Sequence, residues 1–321
     1  MVTDRRGHRG AADQELLDRA GRIRWGSADL DFLATSYPPL PTAIASVLPS
    51  TLALALVGAL AAGVLLDAVH TRLSRAGLPW WARAVLLVCL GASPGFQVTT
   101  TGNLGVLLSL VLLLLATDGF LRFVLDGQTL GGFQAGLFIG LAYLCHPIAV
   151  VAAVGFAVTG PLLARERLRG QRAAGRATAL VLVFPTVAGV LAWTYLCWRF
   201  TGSPLVWLHL AAPAFPFGGG ASPLPAATGV LLVLAASPVA VLVPALLVLG
   251  GRGRAALGLA VPVVCLVVGA WVGVGYPAPA VAVLLGVIAV AAVPPRLPRS
   301  WLAVLLVTAV VGLAVSGAAV L

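Results

Sequence analysis

The sequence has no lysine and little charge of either sign, since only 9% of its 321 residues are charged. Soluble globular domains carry about 25% charged residues, which cover their surface with polar groups. With 60% hydrophobic residues and a mean hydropathy of +1.05, this shortage excludes a soluble globular enzyme and a disordered protein. It also excludes a nucleic-acid-binding domain, although the net charge is +10.

Cysteines are equally sparse, and their spacing includes no C-x-x-C or other metal-ligand pattern. All four lie within or at the ends of apolar runs, which is typical of small buried hydrophobic residues. They are Cys89, Cys145, Cys197 and Cys265. Residues 1–42 contain no apolar run long enough for a signal peptide. The cysteines therefore predict neither a disulfide framework nor a metal site.

Long apolar runs fill the rest of the chain. A membrane-spanning helix needs about 20 mostly apolar residues, and ten segments qualify as candidates. They are 50–70, 81–98, 103–125, 129–145, 147–165, 174–199, 227–250, 253–274, 276–294 and 300–320. We predict an all-α polytopic membrane protein with about ten transmembrane helices in residues 50–321. We expect a helix break at His146-Pro147, because proline removes a backbone donor and restricts the preceding residue.

The arginines divide the predicted connections into two sets. Thirteen arginines fall on every second connection, and only Arg199 falls on the others. Because arginine-rich short loops stay in the cytoplasm, this pattern predicts an extracytoplasmic segment 1–49. Six arginines in that segment conflict with export. Either the true start lies upstream and adds a first spanning helix, which we favour, or the segment is translocated against its charge.

Residues 12–24 have apolar side chains at helical spacing, with charged residues on the other faces. This pattern predicts a short amphipathic helix lying flat on the membrane surface. A stiff, extended turn, Ser36-Tyr37-Pro38-Pro39-Leu40-Pro41, then leads into the first predicted span.

The order of these pieces resembles the GT-C superfamily of membrane glycosyltransferases, in particular the bacterial branch related to protein O-mannosyltransferases and lipid A arabinosyltransferases. Asp13-Gln14-Glu15 is similar to the family's external acidic motif, and Tyr37-Pro38-Pro39-Leu40 is similar to its YPP-type turn. Three later segments continue the resemblance: Thr101-Gly102-Asn103, Gly136–Ala142 followed by His146-Pro147, and Arg199–Leu205. The chain departs from the family in its shortness and in lacking the family's first helix and a soluble C-terminal domain.

The resemblance implies transfer of a sugar from a polyprenyl-phosphate carrier to an acceptor on the outer face of the bacterial cytoplasmic membrane. It implies that Asp13 is the base and that Glu15 is its partner, with both as candidate ligands of a divalent cation such as Mg²⁺ or Mn²⁺. The cation would require Asp13 to lie at or before the helix cap, because residues two apart do not share a helical face. The candidate substrate-binding residues are Tyr37, His146, Trp207 and His209.

Each candidate also has a plainer structural interpretation. Asp13 and Glu15 would favour a helix N-terminus through its dipole, and Trp207 would belong to an interfacial aromatic belt. Asp118, Arg122 and Asp126 are predicted to form a solvated salt-bridge stripe. Two other functions stay open, a lipid or small-molecule transporter of the flippase type and a non-catalytic membrane scaffold. The central parts of the spans lack ionisable residues, which argues against an ion-coupled transporter.

Overall fold

The computed structural model describes residues 11–24, 26, 32, 36–163, 172–207, 238–249, 253–291, 293 and 299–318. All regular secondary structure in these ranges is helical, as the sequence predicts. The α-helices are α1 (Ala11–Ala20), α2 (Pro39–Val47), α3 (Thr51–Arg75), α4 (Trp80–Gly91), α5 (Pro94–Gly102), α6 (Leu104–Leu121), α7 (Thr129–Tyr143), α8 (Ile148–Leu163), α9 (Arg172–Thr201), α10 (Pro238–Leu249), α11 (Gly253–Trp271), α12 (Ala278–Ala291) and α13 (Arg299–Ala318). A π-helical turn, Arg122–Asp126, follows α6.

Each predicted span contains a helix or a pair of helices among the described residues, although of the predicted span 227–250 the structure describes only 238–249. Three helices are long and apolar enough to cross a membrane by length and composition, namely Thr51–Arg75, Leu104–Val124 and Gly175–Thr201. The bent pair α4 and α5 is a fourth candidate, and shorter apolar helical segments of 10–17 residues lie within α7, α8 and α10 to α13. The chain therefore has helices suited to a membrane.

The predicted span 81–98 is broken rather than continuous. α4 and α5 meet at an angle of 59°. Pro94 cannot donate a backbone hydrogen bond to the preceding turn, and the Ser93 hydroxyl caps the new helix by accepting from Phe96 N at 3.4 Å. The break expected at His146-Pro147 is confirmed, because α7 ends at Tyr143 and α8 begins at Ile148.

The helices run between two ends of the bundle. α3 and α6 begin together, where Leu54 and Leu104 pack against Leu16 of α1. They finish together, where Arg72 of α3 forms an ion pair with Asp118 of α6. We call the end where α3 and α6 begin the site end, and define it by Asp13, Tyr37, Leu104, Tyr143 and His146. We call the end where they finish the arginine end, and define it by Arg72, Asp118 and Arg122.

The apolar face of α1 packs against a different surface from the one predicted. Its buried side chains, Leu16 and Ala20, pack against Ala45, Leu54 and Leu104 of the neighbouring helices. The apolar face therefore lies on protein rather than flat on a membrane surface. This contact fixes α1 at the site end.

The stripe predicted at Asp118, Arg122 and Asp126 is solvated only in part. Asp118 and Arg122 are half-buried, with side-chain exposures of 21% and 28%. Asp118 pairs with Arg72 as well as with Arg122, whose Nε lies 3.0 Å from Asp118 Oδ2. The predicted ion pair between Asp118 and Arg122 is present. Their expected exposure to solvent was wrong, because a facing helix supplies Asp118 with a second partner. Asp126 is exposed, as expected.

Glycines allow the backbones of α7 and α9 to approach each other closely. A Cβ added to Gly136 would lie 2.3 Å from the carbonyl oxygen of Val181, and one added to Gly140 would lie 2.8 Å from Cβ of Pro185. Such spacing of small residues is typical of close helix packing in membranes. The glycines of the Gly136–Ala142 segment therefore have a structural role of their own.

Candidate functional site

The Asp13 side chain links α1 to the start of α6. Its Oδ1 accepts a hydrogen bond from Leu104 N at 2.9 Å, across 91 residues of sequence. Asn103 Oδ1 caps the same helix by accepting from Val106 N at 3.0 Å. A carboxylate at this position also interacts favourably with the positive end of the α6 dipole. The arrangement holds a half-buried acid in a fixed place at the site end.

Burial is the main influence on the Asp13 carboxyl group. It raises the pKa of Asp13 above its ordinary value, because the charged form loses solvation, and the hydrogen bond from Leu104 opposes this rise. A carboxylate has two oxygens and room for about four hydrogen bonds. The bond to Leu104 therefore leaves acceptor capacity for a proton from a bound molecule.

Glu15 has a different environment from Asp13. It is exposed and forms an ion pair with Arg19, one helical turn further along α1. Arg19 Nη1 also donates to the carbonyl oxygen of Tyr37 at 2.7 Å. Glu15 thus orients an arginine that ties α1 to the turn before α2.

The two carboxylates do not fit a shared divalent cation. Asp13 is the third residue of α1 rather than its cap, so Asp13 and Glu15 leave the helix on different faces. The part of the chain that the structure describes contains no group of three His, Cys, Asp or Glu side chains that could hold a metal ion.

Tyr37 is the centre of a group of rings that we call the aromatic cluster, formed by Tyr37, Tyr143, Trp193 and Trp207. The ring of Tyr37 lies 5.8 Å from Tyr143, 6.0 Å from Trp193 and 5.4 Å from Trp207, between centroids. Tyr37 Oη donates to the carbonyl oxygen of Tyr143 at 2.8 Å. Three separate parts of the chain therefore meet at this point.

Three donors of the aromatic cluster have no acceptor among the described residues. They are the Tyr143 hydroxyl and the indole N–H groups of Trp193 and Trp207. Their side chains are buried, with exposures of 0%, 8% and 5%. Buried polar groups are hydrogen-bonded in the large majority of cases. The site end thus holds buried donors that the described part of the chain does not pair.

His146 is buried in the connection between α7 and α8, shortly after Tyr143 of the aromatic cluster. Its ring packs against that of Tyr276, with centroids 4.6 Å apart and the ring planes tilted by 42°, and the Tyr276 hydroxyl shares a hydrogen bond with Ser109. Burial lowers the pKa of His146 to about 3, so its ring is neutral at physiological pH. Its Nδ1 accepts from Ile148 N at 3.4 Å, which leaves the hydrogen on Nε2. His146 can therefore donate a hydrogen bond to a phosphate, but it adds no positive charge.

Contacts between backbone segments bring the predicted residues to one end of the bundle. Leu40 N, just after the Tyr37 turn, donates to the carbonyl oxygen of Leu144 at 3.1 Å. A Cβ added to Gly105 would lie 3.5 Å from the carbonyl oxygen of Cys145. Asp13, Tyr37, His146 and Trp207 are thereby linked to the same end, whereas His209 lies outside the described residues.

Sequence reasoning missed Tyr143, Trp193 and Tyr276. Their signal is scarcity: the chain has only four tyrosines, and three of them, Tyr37, Tyr143 and Tyr276, are fully buried. A tyrosine in an apolar helix carries a hydroxyl group that needs a hydrogen-bond partner, which a phenylalanine would not need. The position of Tyr143 just before the His146 break could also have pointed to it.

No family model, curated protein or solved structure matches the chain.

Proposed function

We propose that this chain is a polytopic membrane glycosyltransferase that moves a sugar from a polyprenyl-phosphate carrier to an acceptor hydroxyl at the site end. In this proposal the ten spans are α3, the α4–α5 pair, α6, α7, α8, α9, α10, α11, α12 and α13. The arginine end faces the cytoplasm, and the site end faces the opposite side. The observation that carries the proposal is the fixed, half-buried Asp13 carboxylate at the same end of the bundle as a group of aromatic side chains.

The chemistry requires one base, and Asp13 has the properties of one. A raised pKa makes its carboxylate a stronger base than an ordinary aspartate. Asp13 takes the proton of the acceptor hydroxyl while the acceptor oxygen attacks the anomeric carbon of the sugar. The bond from that carbon to the carrier phosphate breaks, and its electron pair leaves with polyprenyl phosphate. His146 donates to a phosphate oxygen through Nε2.

Glu15 and Arg19 have a positioning role in this scheme. Glu15 orients the Arg19 guanidinium, and Arg19 holds the Tyr37 carbonyl. The pair keeps α1, and with it Asp13, against the turn that carries the Tyr37 ring. An exposed ion pair of this kind contributes at most about 1 kcal/mol.

The test is Asp13→Asn, which removes the base and keeps an oxygen that can accept from Leu104 N. Membranes from cells expressing the full chain are supplied with radiolabelled polyprenyl-phosphate mannose or polyprenyl-phosphate arabinose, and label transferred to endogenous acceptors is counted. We expect a loss of transfer of about 100-fold or more, because a general base contributes 10²–10⁴-fold.

The matched control is Asp18→Asn, which makes the same change at an exposed position of α1. It should retain wild-type transfer, and both variants should melt within a few degrees of the wild type. Full transfer by the Asp13→Asn variant would refute the proposed base. A wild-type chain that transfers neither sugar would count against the proposed function.

A further inference from the structure

The donors of the aromatic cluster that have no acceptor among the described residues point to a ligand. Burying three such donors in one group of four neighbouring rings forfeits hydrogen bonds that water would supply. Phenylalanine at position 143 would fill similar space and carry no hydroxyl. The group therefore has polar atoms that its packing does not require, and a bound molecule with acceptor oxygens would satisfy them.

The chemistry of the aromatic cluster selects a neutral ligand. The donors without an acceptor in the described part of the chain are a phenol O–H and two indole N–H groups, none of which carries charge. Arg19 contacts the Tyr37 backbone and pairs with Glu15. Ligand sites with aromatic walls and a few placed polar groups bind molecules that have both apolar faces and polar edges. A sugar ring fits this description, with C–H faces for the rings and hydroxyl oxygens for the donors.

The cluster also lies where a sugar would have to be held. Tyr37 is joined to α1 through Arg19, and α1 carries Asp13. The Leu40–Leu144 bond joins the same turn to the end of α7, next to His146.

We propose that Tyr143, Trp193 and Trp207 form a sugar-binding subsite, in which the hydroxyl oxygens of a sugar accept from their O–H and N–H groups. This inference rests on the proposed function, since it assigns a binding site to the sugar of that reaction. The sugar is either the one on the lipid carrier or one on a saccharide acceptor, and both present the same hydroxyl groups.

The test uses three variants that remove a donor and keep a ring: Tyr143→Phe, Trp193→Phe and Trp207→Phe. Binding to the purified full chain in nanodiscs is measured with polyprenyl-phosphate mannose, polyprenyl-phosphate arabinose, sugar-free polyprenyl phosphate and methyl mannoside. We expect each variant to bind the preferred sugar-bearing probe about tenfold more weakly and to bind sugar-free polyprenyl phosphate as the wild type does. If lipid-linked sugar alone responds, the subsite holds the donor sugar; if methyl mannoside responds, it holds an acceptor.

A second readout separates binding from packing. Tyr143→Phe removes an unsatisfied buried hydroxyl, so the ligand-free variant should melt higher than the wild type, by about 2 °C or more. The same variant should bind sugar more weakly, a combination that a merely structural role for the hydroxyl would not produce. Matched controls are Tyr195→Phe and Trp198→Phe, both at exposed positions of α9. Both should bind all probes as the wild type does.

The outcomes distinguish this inference from the proposed function. Wild-type affinity for sugar probes in all three variants would overturn the subsite, even if transfer depends on Asp13. Sugar-dependent binding that the variants lose, in a chain that transfers no sugar, would support the subsite and count against the transferase. Absence of sugar-dependent binding to the wild type would overturn the subsite.

Discussion

The two ends of the helix bundle treat their polar groups in opposite ways. At the arginine end, charged side chains pair with one another: Asp118 bonds Arg72 and Arg122, and Arg122 donates to Gln134 at 3.0 Å. At the site end, the buried polar groups of the aromatic cluster are neutral, and three donors lack an acceptor among the described residues. Ion pairs between charged groups stabilise the fold, whereas neutral donors and a half-buried acid provide groups that a ligand can use. We infer that the first end is structural and that the second carries the function.

The largest expected effect concerns the close contact between α7 and α9. Gly136→Ala places a Cβ 2.3 Å from the Val181 carbonyl oxygen, so α7 and α9 must separate. We expect a loss of about 3 kcal/mol of stability and a collapse of the yield of folded protein, measured by unfolding in detergent. Gly63→Ala is the control, because nothing lies within 4 Å of a Cβ at this exposed helical position. Equal stability of the two variants would show that the α7–α9 contact is looser than described.

The next effect tests the burial of a neutral group at the site end. The pKa of His146 is about 3 in the folded chain, below its ordinary value of 6.5, so the unfolded chain binds more protons between these values. The stability that depends on the neutral His146 ring is therefore fully present above pH 6.5 and is lost as the pH decreases towards 3. At about one and a half units below 6.5, the loss is about 2 kcal/mol.

The measurement is the melting temperature of the purified protein at pH 7 and pH 5. His146→Gln should reduce the difference between the two temperatures. His70→Gln, a change at an exposed position, should leave it as in the wild type. A difference that is unaltered in the His146→Gln variant would contradict the burial of this ring.

The smallest effect tests whether the arginine end is structural. Asp118→Asn leaves Arg72 and Arg122 close together without the shared anion. We expect a loss of about 1–2 kcal/mol, because the pair is half-buried and solvent still screens part of the charge. Asp126→Asn, at an exposed position, should change stability by no more than about 0.5 kcal/mol. Sugar transfer per folded molecule should stay at the wild-type level in both, and its selective loss in Asp118→Asn would contradict the division of roles.

Much of the fold could be predicted because it depends on local properties. Apolar run length gave the helices, and the proline at His146-Pro147 gave the break between α7 and α8. Ser93 and Pro94 lie in a span already weakened by Gly91 and Gly95, so the bend there has a local cause too.

The candidate site could be predicted only in part, because its contacts join distant residues. Asp13 and Tyr37 were predicted from their motifs, but neither the Asp13–Leu104 bond nor the Tyr37–Tyr143 bond has a sequence signal. The aromatic cluster depends on how α7 and α9 cross, which the glycines allow but do not specify. The Asp118 prediction was wrong for the same reason, since its helical spacing says nothing about Arg72 on another helix.

The central claim is that the two ends lie on opposite sides of a membrane, with the arginine end in the cytoplasm. Single-cysteine labelling tests it most directly, with the four native cysteines replaced by alanine and a cysteine introduced by Asp18→Cys or Arg75→Cys, both at exposed positions. A membrane-impermeant maleimide should label Asp18→Cys in intact cells and label Arg75→Cys only after the membrane is permeabilised. Labelling of Arg75→Cys in intact cells, or of Asp18→Cys only after permeabilisation, would contradict the account.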